Sequence, residues 1–521
     1  MSVEKTCCVV TVSESSSSQE QRHPVSCSGV VLNEQSGLIV LCSGTVFSPF
    51  LIHKECINQN PSILHANSFS NNMRVSIDRP DVTANSNVKN GHPRLHQRAE
   101  LLLMVNCLEF QRAFQKIFIE TEKWNFYSGD EDADITFDSV FLSWFAVLKI
   151  PGLVTSTLDD TIPWVKSTAL RKGHSVLACG SPFGSFCPDL FMSTLSKGIV
   201  SNLAGEECAM ILTDARCLPG TEGGGLFVSV GDTPHLVGLI SSPLCWKSNE
   251  WIGLAIVCSF HLILKCILQA VTSHQSLREL ATHSYIDIPH VSPSTSQKLT
   301  NGRYPTVAVV DSGQLWGSGI LLNPRLVLTC RHVVDGKAFL HVRLNANKRL
   351  RTVSGRVLYS SKTSSPYDVA VVELQEPLSD VVSPQLGTRF IPGEDVVVLG
   401  YGALGKTCGP SLTSGILSRV ITRKNKPVML QTTCAVQCGA SGGAVIRANT
   451  GELLGIVSSN TRDFAAKVTY PHLNFSIPVS VLEPLLECFS QTGNGAVFQA
   501  LDSAEDDVRR VWRLQIPQSK L

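Results

Sequence analysis

The chain has 521 residues, enough for roughly two to four domains with sizeable cores. Hydrophobic residues make up 43% and charged residues 17%, a globular balance that excludes wholesale disorder. Lys and Arg number 44 against 43 Asp and Glu, so the net charge of +1 offers no basic field for nucleic acid or anionic lipid.

The N-terminus, Met1-Ser-Val-Glu-Lys-Thr-Cys7-Cys8, lacks the apolar run of a secretory signal and soon enters Ser15-Ser-Ser-Ser18. No stretch reaches the ~18–20 apolar residues of a bilayer span. The longest candidate, Phe260 to Gln269, is interrupted by His261 and Lys265 and reads as a packed helix. Without a secretory signal, the 18 cysteines read as small buried hydrophobes rather than as a disulfide framework. No Cys-x-x-Cys occurs and no His pair joins a Cys pair, so neither a metal nor a cofactor is expected.

An internal repeat then emerges. Cys27-Ser28-Gly29-Val-Val-Leu-Asn33 matches Gly317-Ser318-Gly319-Ile-Leu-Leu-Asn323. Met210-Ile-Leu-Thr213 through Gly220-Thr-Glu222-Gly-Gly224 matches Met429-Leu-Gln-Thr432 through Gly439-Ala-Ser441-Gly-Gly443. Val237 to Ser242 matches Leu454 to Ser459. The order is the same in both halves, and the first half is longer, with a loop insertion expected at about 57–124. Its polar part, Asp81 to Pro93, is rich in turn formers and reads as exposed. The acidic run Asp130-Glu-Asp132-x-Asp134 reads as a solvated loop. A Pro/Ser linker at 281–302 separates a first half, 1–280, from a second, 303–490, followed by a tail, 491–521.

Both halves carry short Val/Ile/Leu runs closed by Gly, Pro, Asn or Ser, such as Thr306–Val310, Gly319–Leu322, Asp395–Leu399 and Gly455–Ser458. That punctuation predicts a mainly β fold of barrels or sandwiches. Leu482–Cys488 can close the second half as a short helix, and the tail reads as helical around Asp506–Trp512.

In the second half a strand at Arg325–Leu328 delivers Leu328-Thr-Cys330-Arg-His332. Pro366-Tyr-Asp368 opens the apolar run Val-Ala-Val-Val, and Gly439-Ala-Ser441-Gly-Gly443 follows. Acyl transfer needs a hydroxyl nucleophile, a base, a carboxylate to orient the base, and donors for the oxyanion. Ser441, His332 and Asp368 supply the first three. The amides of Gly439 and Ser441, on a glycine-permitted tight turn, supply the donors.

These residues resemble the trypsin-like serine proteases, and among them the Deg/HtrA-type branch, over about 303–487. Asn474-Phe-Ser-Ile-Pro478 resembles the strand that closes the specificity pocket. Cys330 departs from the usual Ala, and Cys438 stands just before the serine loop. The fold implied is a trypsin-like double six-stranded β-barrel, present as two tandem copies of which the first is degenerate. Aligning the repeat places Gly44 at the position of His332, Trp144 at Asp368 and Glu222 at Ser441, so the first copy is expected to be catalytically silent.

Across the whole chain, a silent copy before an active one, no PDZ-like domain, and a terminal Ser519-Lys520-Leu521 resemble the peroxisomal processing members of this family. Cys179-Gly-Ser-Pro-Phe-Gly184 and Thr213 to Gly224 add to that resemblance. The terminal tripeptide reads as a peroxisomal import address, which a receptor would be expected to recognise. The resemblance implies a serine endopeptidase of the peroxisomal matrix. Its substrates would be imported matrix proteins, which lose N-terminal leader peptides, and β-oxidation enzymes, with cuts after Cys. In such folds the residues before the nucleophile line the pocket for the side chain preceding the cut. Here Ala435 to Cys438 lie opposite Ser458, Ser459 and Asn460, and none is charged. Self-cleavage is also implied, and Cys56, at the border of the insertion, is the candidate site because Cys107 lies in an apolar run. Two other readings stay open at this point: a general quality-control protease of the matrix, and a non-catalytic cargo-binding module. So does the oligomeric state, a homo-oligomer included.

Overall fold

A computed structural model describes residues 3–15, 23–34, 37–80, 94–119, 124–126, 140–151, 163–243, 245–247, 250–273, 304–346, 349–463, 468–503 and 505–512. The linker, the polar segment 81–93, the acidic run 130–134 and the terminal Ser519-Lys520-Leu521 lie outside them. The chain divides into two compact units, Met1–Ser248 with Leu254–Gln297, and Asn249–Gly253 with Lys298–Leu521.

The second unit holds two closed six-stranded barrels. Val307–Asp311, Trp316–Asn323, Leu326–Thr329, Phe339–Ala346, Arg349–Ser360 and Ala370–Leu374 form one. Asp395–Gly400, Ser411–Arg423, Lys426–Thr432, Ala444–Arg447, Leu453–Asp463 and Val468–Pro478 form the other. Side chains alternate faces along a strand, so every second residue enters the barrel. Ala308, Val310, Ala370, Val372 and Leu374 fill the first core, and Val396, Val398, Leu454 and Val457 belong to the second. Barrel closure leaves no free edge strand. The helix Val479–Thr492 follows the last strand, and a short helix at Asp506–Trp512 ends the described chain.

The first unit repeats the plan. Its first sheet, built from Cys7–Glu14, Val25–Glu34, Gly37–Ser43, Met73–Pro80, Arg94–Asn106 and Trp144–Ile150, returns on itself where Arg94–Asn106 pairs with Trp144–Ile150. Ile63–His65 adds a short seventh strand. The second is a closed barrel of Ser175–Gly180, Thr194–Ala204, Met210–Thr213, Gly225–Val230, Thr233–Ser242 and Ala255–Ser259. The apolar stretch after Ser259 is the helix Phe260–Ser273, which buries Ile263, Ile267, Ala270 and Val271 along one stripe. Among the described residues no helix is long and apolar enough to cross a membrane.

The expected insertion at 57–124 is not one exposed loop. Met73–Pro80 and Arg94–Asn106 are barrel strands, paired as Val75 with Ala99 and Ile77 with Gln97. The helix Leu108–Ile117 buries Phe110, Ala113 and Ile117. The extra residues are instead distributed before residue 73, in the connection 81–93, and between the strands ending at Asn106 and starting at Trp144. Sequence matching missed these strands because charged residues such as Arg94, Arg98 and Glu100 occupy their outer faces.

Candidate active site

His332 rides on a one-turn helix, Arg331–Val334, that begins immediately after the strand Leu326–Thr329 and Cys330. Val333 and Val334 bury into the barrel and fix the turn, leaving the imidazole half-exposed. Its Nδ1 lies 2.5 Å from Asp368 Oδ2, and its backbone N–H donates to Asp368 Oδ1 at 3.1 Å. One carboxylate therefore grips both the ring and the main chain of His332. Nδ1 is committed, so Nε2 is the ring nitrogen available for proton transfer. Burial alone would raise the pKa of the Asp368 carboxyl. The His332 hydrogen bonds and charge, with the Arg331 charge, outweigh it and hold the carboxyl below its ordinary value.

Ser441 stands at the apex of a turn whose amides alternate in use. Ala440 N–H donates to Gln437 O, Gly442 N–H to Val457 O and Gly443 N–H to Ala440 O, at 3.0, 2.8 and 2.8 Å. The amides of Gly439 and Ser441 make no backbone bond among the described residues. Gly439 has φ 93°, and a Cβ there would lie 2.5 Å from the Trp316 ring. Gly442 has φ 84°, and a Cβ there would strike Ser318 O. Both positions therefore require glycine. Ser441 Oγ donates weakly to Ser458 O at 3.4 Å.

The serine turn is stapled to the strand system that carries His332. Ser318 N–H donates to Ser441 O at 2.8 Å, and Ser318 Oγ donates to Gly439 O at 2.9 Å. Ser318 Oγ also accepts from Tyr401 N–H at 2.7 Å, and Thr329 Oγ1 donates to Ser318 O at 2.7 Å. Cys330 Sγ donates to Val457 O at 3.3 Å, which explains a thiol where Ala is usual. Burial, with the Asp368 charge, pushes that thiol well above its ordinary range, so it remains a protonated donor. Sequence reasoning passed over Ser318. The signal was present in the repeat, because Ser28 does the same work: its Oγ donates to Gly220 O and accepts from Ser181 N–H.

Among the residues expected to line a specificity pocket, Ala435 and Ser458 are buried, Ser459 is half-buried and Cys438 is exposed. Asn460 pairs with Asn474 across the strands, and its side chain lies outside the described set. Asn474 donates to Cys434 O and accepts from Thr432 Oγ1, so the closing strand is locked from beneath. Cys56 lies in a short 3-10 turn, Lys54–Gln59, half-buried, with its Sγ on His53 O at 2.6 Å. Cys107 is fully buried.

The first unit preserves the scaffold without the chemistry. Ser28 N–H donates to Glu222 O at 2.8 Å, as Ser318 does to Ser441, which fixes Glu222 as the counterpart of the serine. Cys42 pairs with Ala146 as Thr329 pairs with Ala370, so Trp144 stands for Asp368. The same register puts Thr45, not Gly44, at the position of His332. The identical Cys residues 42 and 330 misled the alignment by one position. Thr45, Trp144 and Glu222 cannot form a proton relay. Gly220 keeps φ 93°, and its N–H donates to Glu222 Oε2 at 2.7 Å. The corresponding turn of the first unit is thus filled by its own carboxylate.

Burial raises the Glu222 carboxyl to about 7, against the lowering by its own and the Gly220 amides. A raised acid stabilises the fold below its unfolded value and loses that contribution as pH climbs through 7. Glu222→Gln should therefore melt with wild type at pH 5 and about 2 °C or more above it at pH 8.5, in thermal scans. Peptidase activity should stay within about twofold at both values. Equal melting points at pH 8.5 would contradict this account of the carboxylate.

The barrels and this arrangement define the class of trypsin-like serine endopeptidases, and the model of the trypsin-like peptidase domain matches residues 317–456. The Peroxisomal leader peptide-processing protease of Mus musculus is 39% identical over 99% of this chain and 96% of its own length. That of Homo sapiens is 39% identical over 97% and 95%. Protease Do-like 4, mitochondrial, of Arabidopsis thaliana is 28% identical over 36% of this chain and 34% of its own. The chain belongs to the family of peroxisomal leader peptide-processing proteases.

Proposed function

We propose that this chain is the peroxisomal matrix endopeptidase that removes leader peptides from imported proteins and cleaves β-oxidation enzymes. Two observations support the chemistry: the His332–Asp368 pair, anchored through ring and backbone, and Ser441 on a turn whose Gly439 and Ser441 amides make no backbone bond among the described residues. Ser441 Oγ attacks the scissile carbonyl while His332 Nε2 takes its proton. Asp368 holds the tautomer and stabilises the imidazolium. The Gly439 and Ser441 amides receive the oxyanion. His332 then returns the proton to the leaving amine, and water repeats the sequence on the acyl-enzyme. Import runs through Ser519-Lys520-Leu521 and its receptor. Mapping new N-termini in a matrix-protein mixture, wild type against Ser441→Ala, tests the reading. Discrete ends support processing, and scattered ends mean general degradation.

An uncharged pocket would favour Cys over a charged residue before the cut. Ala435, Ser458 and Ser459 offer no charge, so a substrate Lys or Arg would be desolvated without a partner. With matched peptides, kcat/KM for Cys should exceed that for Lys or Arg by at least about 100-fold. Comparable rates would refute this pocket. Self-cleavage after Cys56 would require the Lys54–Gln59 turn to unwind, since a cut segment must enter the cleft extended. Wild type should accumulate a chain starting at Ile57, and Ser441→Ala should not. Any other first residue would remove Cys56 from the argument.

A further inference from the structure

Residues 250–253 stand out in the division of the chain. They come from the N-terminal repeat in sequence, yet they belong to the second unit. Ile252 is buried, and its carbonyl accepts a hydrogen bond from Gln437 Nε2 at 2.8 Å. Gln437 is itself buried, and its Oε1 accepts from Ala403 N–H at 3.2 Å. Its main-chain carbonyl accepts from Ala440 N–H, which closes the turn that presents Gly439 and Ser441. Trp251 meets His472 edge to face at 5.4 Å, and His472 Nδ1 lies 3.2 Å from Thr433 O. Gly253 has φ 71°, and a Cβ there would lie 3.2 Å from the Ala435 Cβ and 3.3 Å from Pro471 Cγ.

We infer that residues 250–253 form a strut of the specificity pocket, and that Gln437 is a positioning residue for the oxyanion turn. Three facts converge on that role. A glutamine amide has one donor side and one acceptor side, and both are committed here, to Ile252 O and Ala403 N–H. Its plane is therefore fixed, and with it the main chain two residues before Gly439. A buried amide stripped of its partners costs more than the bond is worth, so the strut and the turn are held together. The strut also reaches Ala435 at the base of the pocket through Gly253. Residues 250–253, distant in sequence from the rest of the second unit, are thus built into the part of that unit that carries Ser441.

This inference rests on the reading of Ser441 as nucleophile, and the test separates the two. In the full chain, Gln437→Met keeps the side-chain volume and removes both bonds, whereas Trp251→Ala loosens the strut without touching the pocket wall. The readouts are kcat and KM for a peptide with Cys before the cut, the rate of fluorophosphonate labelling of Ser441, and the melting temperature. Gln437→Met should lower kcat about 10- to 100-fold, with KM within about threefold and labelling slowed in parallel, since a displaced oxyanion donor costs the transition state alone. Trp251→Ala should lower kcat in the same sense by about fivefold or more. No labelling of wild type would remove the nucleophile reading. Labelling of wild type, with kcat in folded Trp251→Ala within twofold of wild type, would overturn the strut. If Gln437→Met fails to fold, Trp251→Ala decides alone.

Discussion

Ser441→Ala should lower kcat by about 10⁴- to 10⁶-fold while the melting temperature barely moves. The asymmetry follows from what the hydroxyl does at rest. Among the described residues its one hydrogen bond, to Ser458 O, is long at 3.4 Å. The main chain of the turn is held by other bonds, above all Ser318 N–H to Ser441 O at 2.8 Å. Removing one oxygen deletes the nucleophile and leaves every staple in place. Single-turnover assays on the purified variant check the result. A residual rate above about 1/1000 of wild type would assign the nucleophile elsewhere.

Asp368→Asn should cost about 10⁴ in kcat at neutral pH, with substrate affinity little changed. The carboxylate accepts twice from His332, once from the ring and once from the backbone. An amide offers a single acceptor oxygen, so Asn cannot satisfy both donors. If its NH2 faces the ring, Nδ1 becomes the acceptor and Nε2 the protonated, useless nitrogen. A stability effect accompanies the loss and has a definite sign. A carboxyl held below its ordinary value of 3.8 stabilises the fold above that pH and loses the contribution as pH falls through its folded value. The gap in unfolding free energy between wild type and Asp368→Asn should be present at pH 7 and shrink below pH 4. A gap independent of pH would mean that the His332 pairing is not its source.

The order His332, Asp368, Ser441 and the glycines around the serine were legible because each is a local signal. Gly439 and Gly442 advertise left-handed backbone, and the Val-rich runs advertise barrel strands. The degeneracy of the first copy was legible for the same reason, apart from the one-residue slip that put Gly44 where Thr45 stands. Strand register settles that position, and register is a property of pairing, which two Cys residues in similar runs cannot encode. The strands Met73–Pro80 and Arg94–Asn106 were hidden by polar outer faces. Gln437 was visible only as an uncharged pocket residue. Its tie to Ile252 joins positions 185 apart in the chain. No local pattern announces such a bond.

Glu222 bears on how a turn of paired amides can be occupied from within the chain. A turn that aims two amides at one point is an unmet demand wherever it survives, and erasing it would mean rebuilding the glycine-dependent main chain that also seals the barrel. Substituting a longer acid meets the demand from within and leaves the scaffold untouched. The turn is therefore plugged, not dismantled. Replacing Glu222 with serine would reopen a receptor for negative charge at the Gly220 and Glu222 amides. Such a variant is a natural starting point for engineering an anion-binding protein on this scaffold, because the difficult part, the paired donors on a rigid turn, is already built.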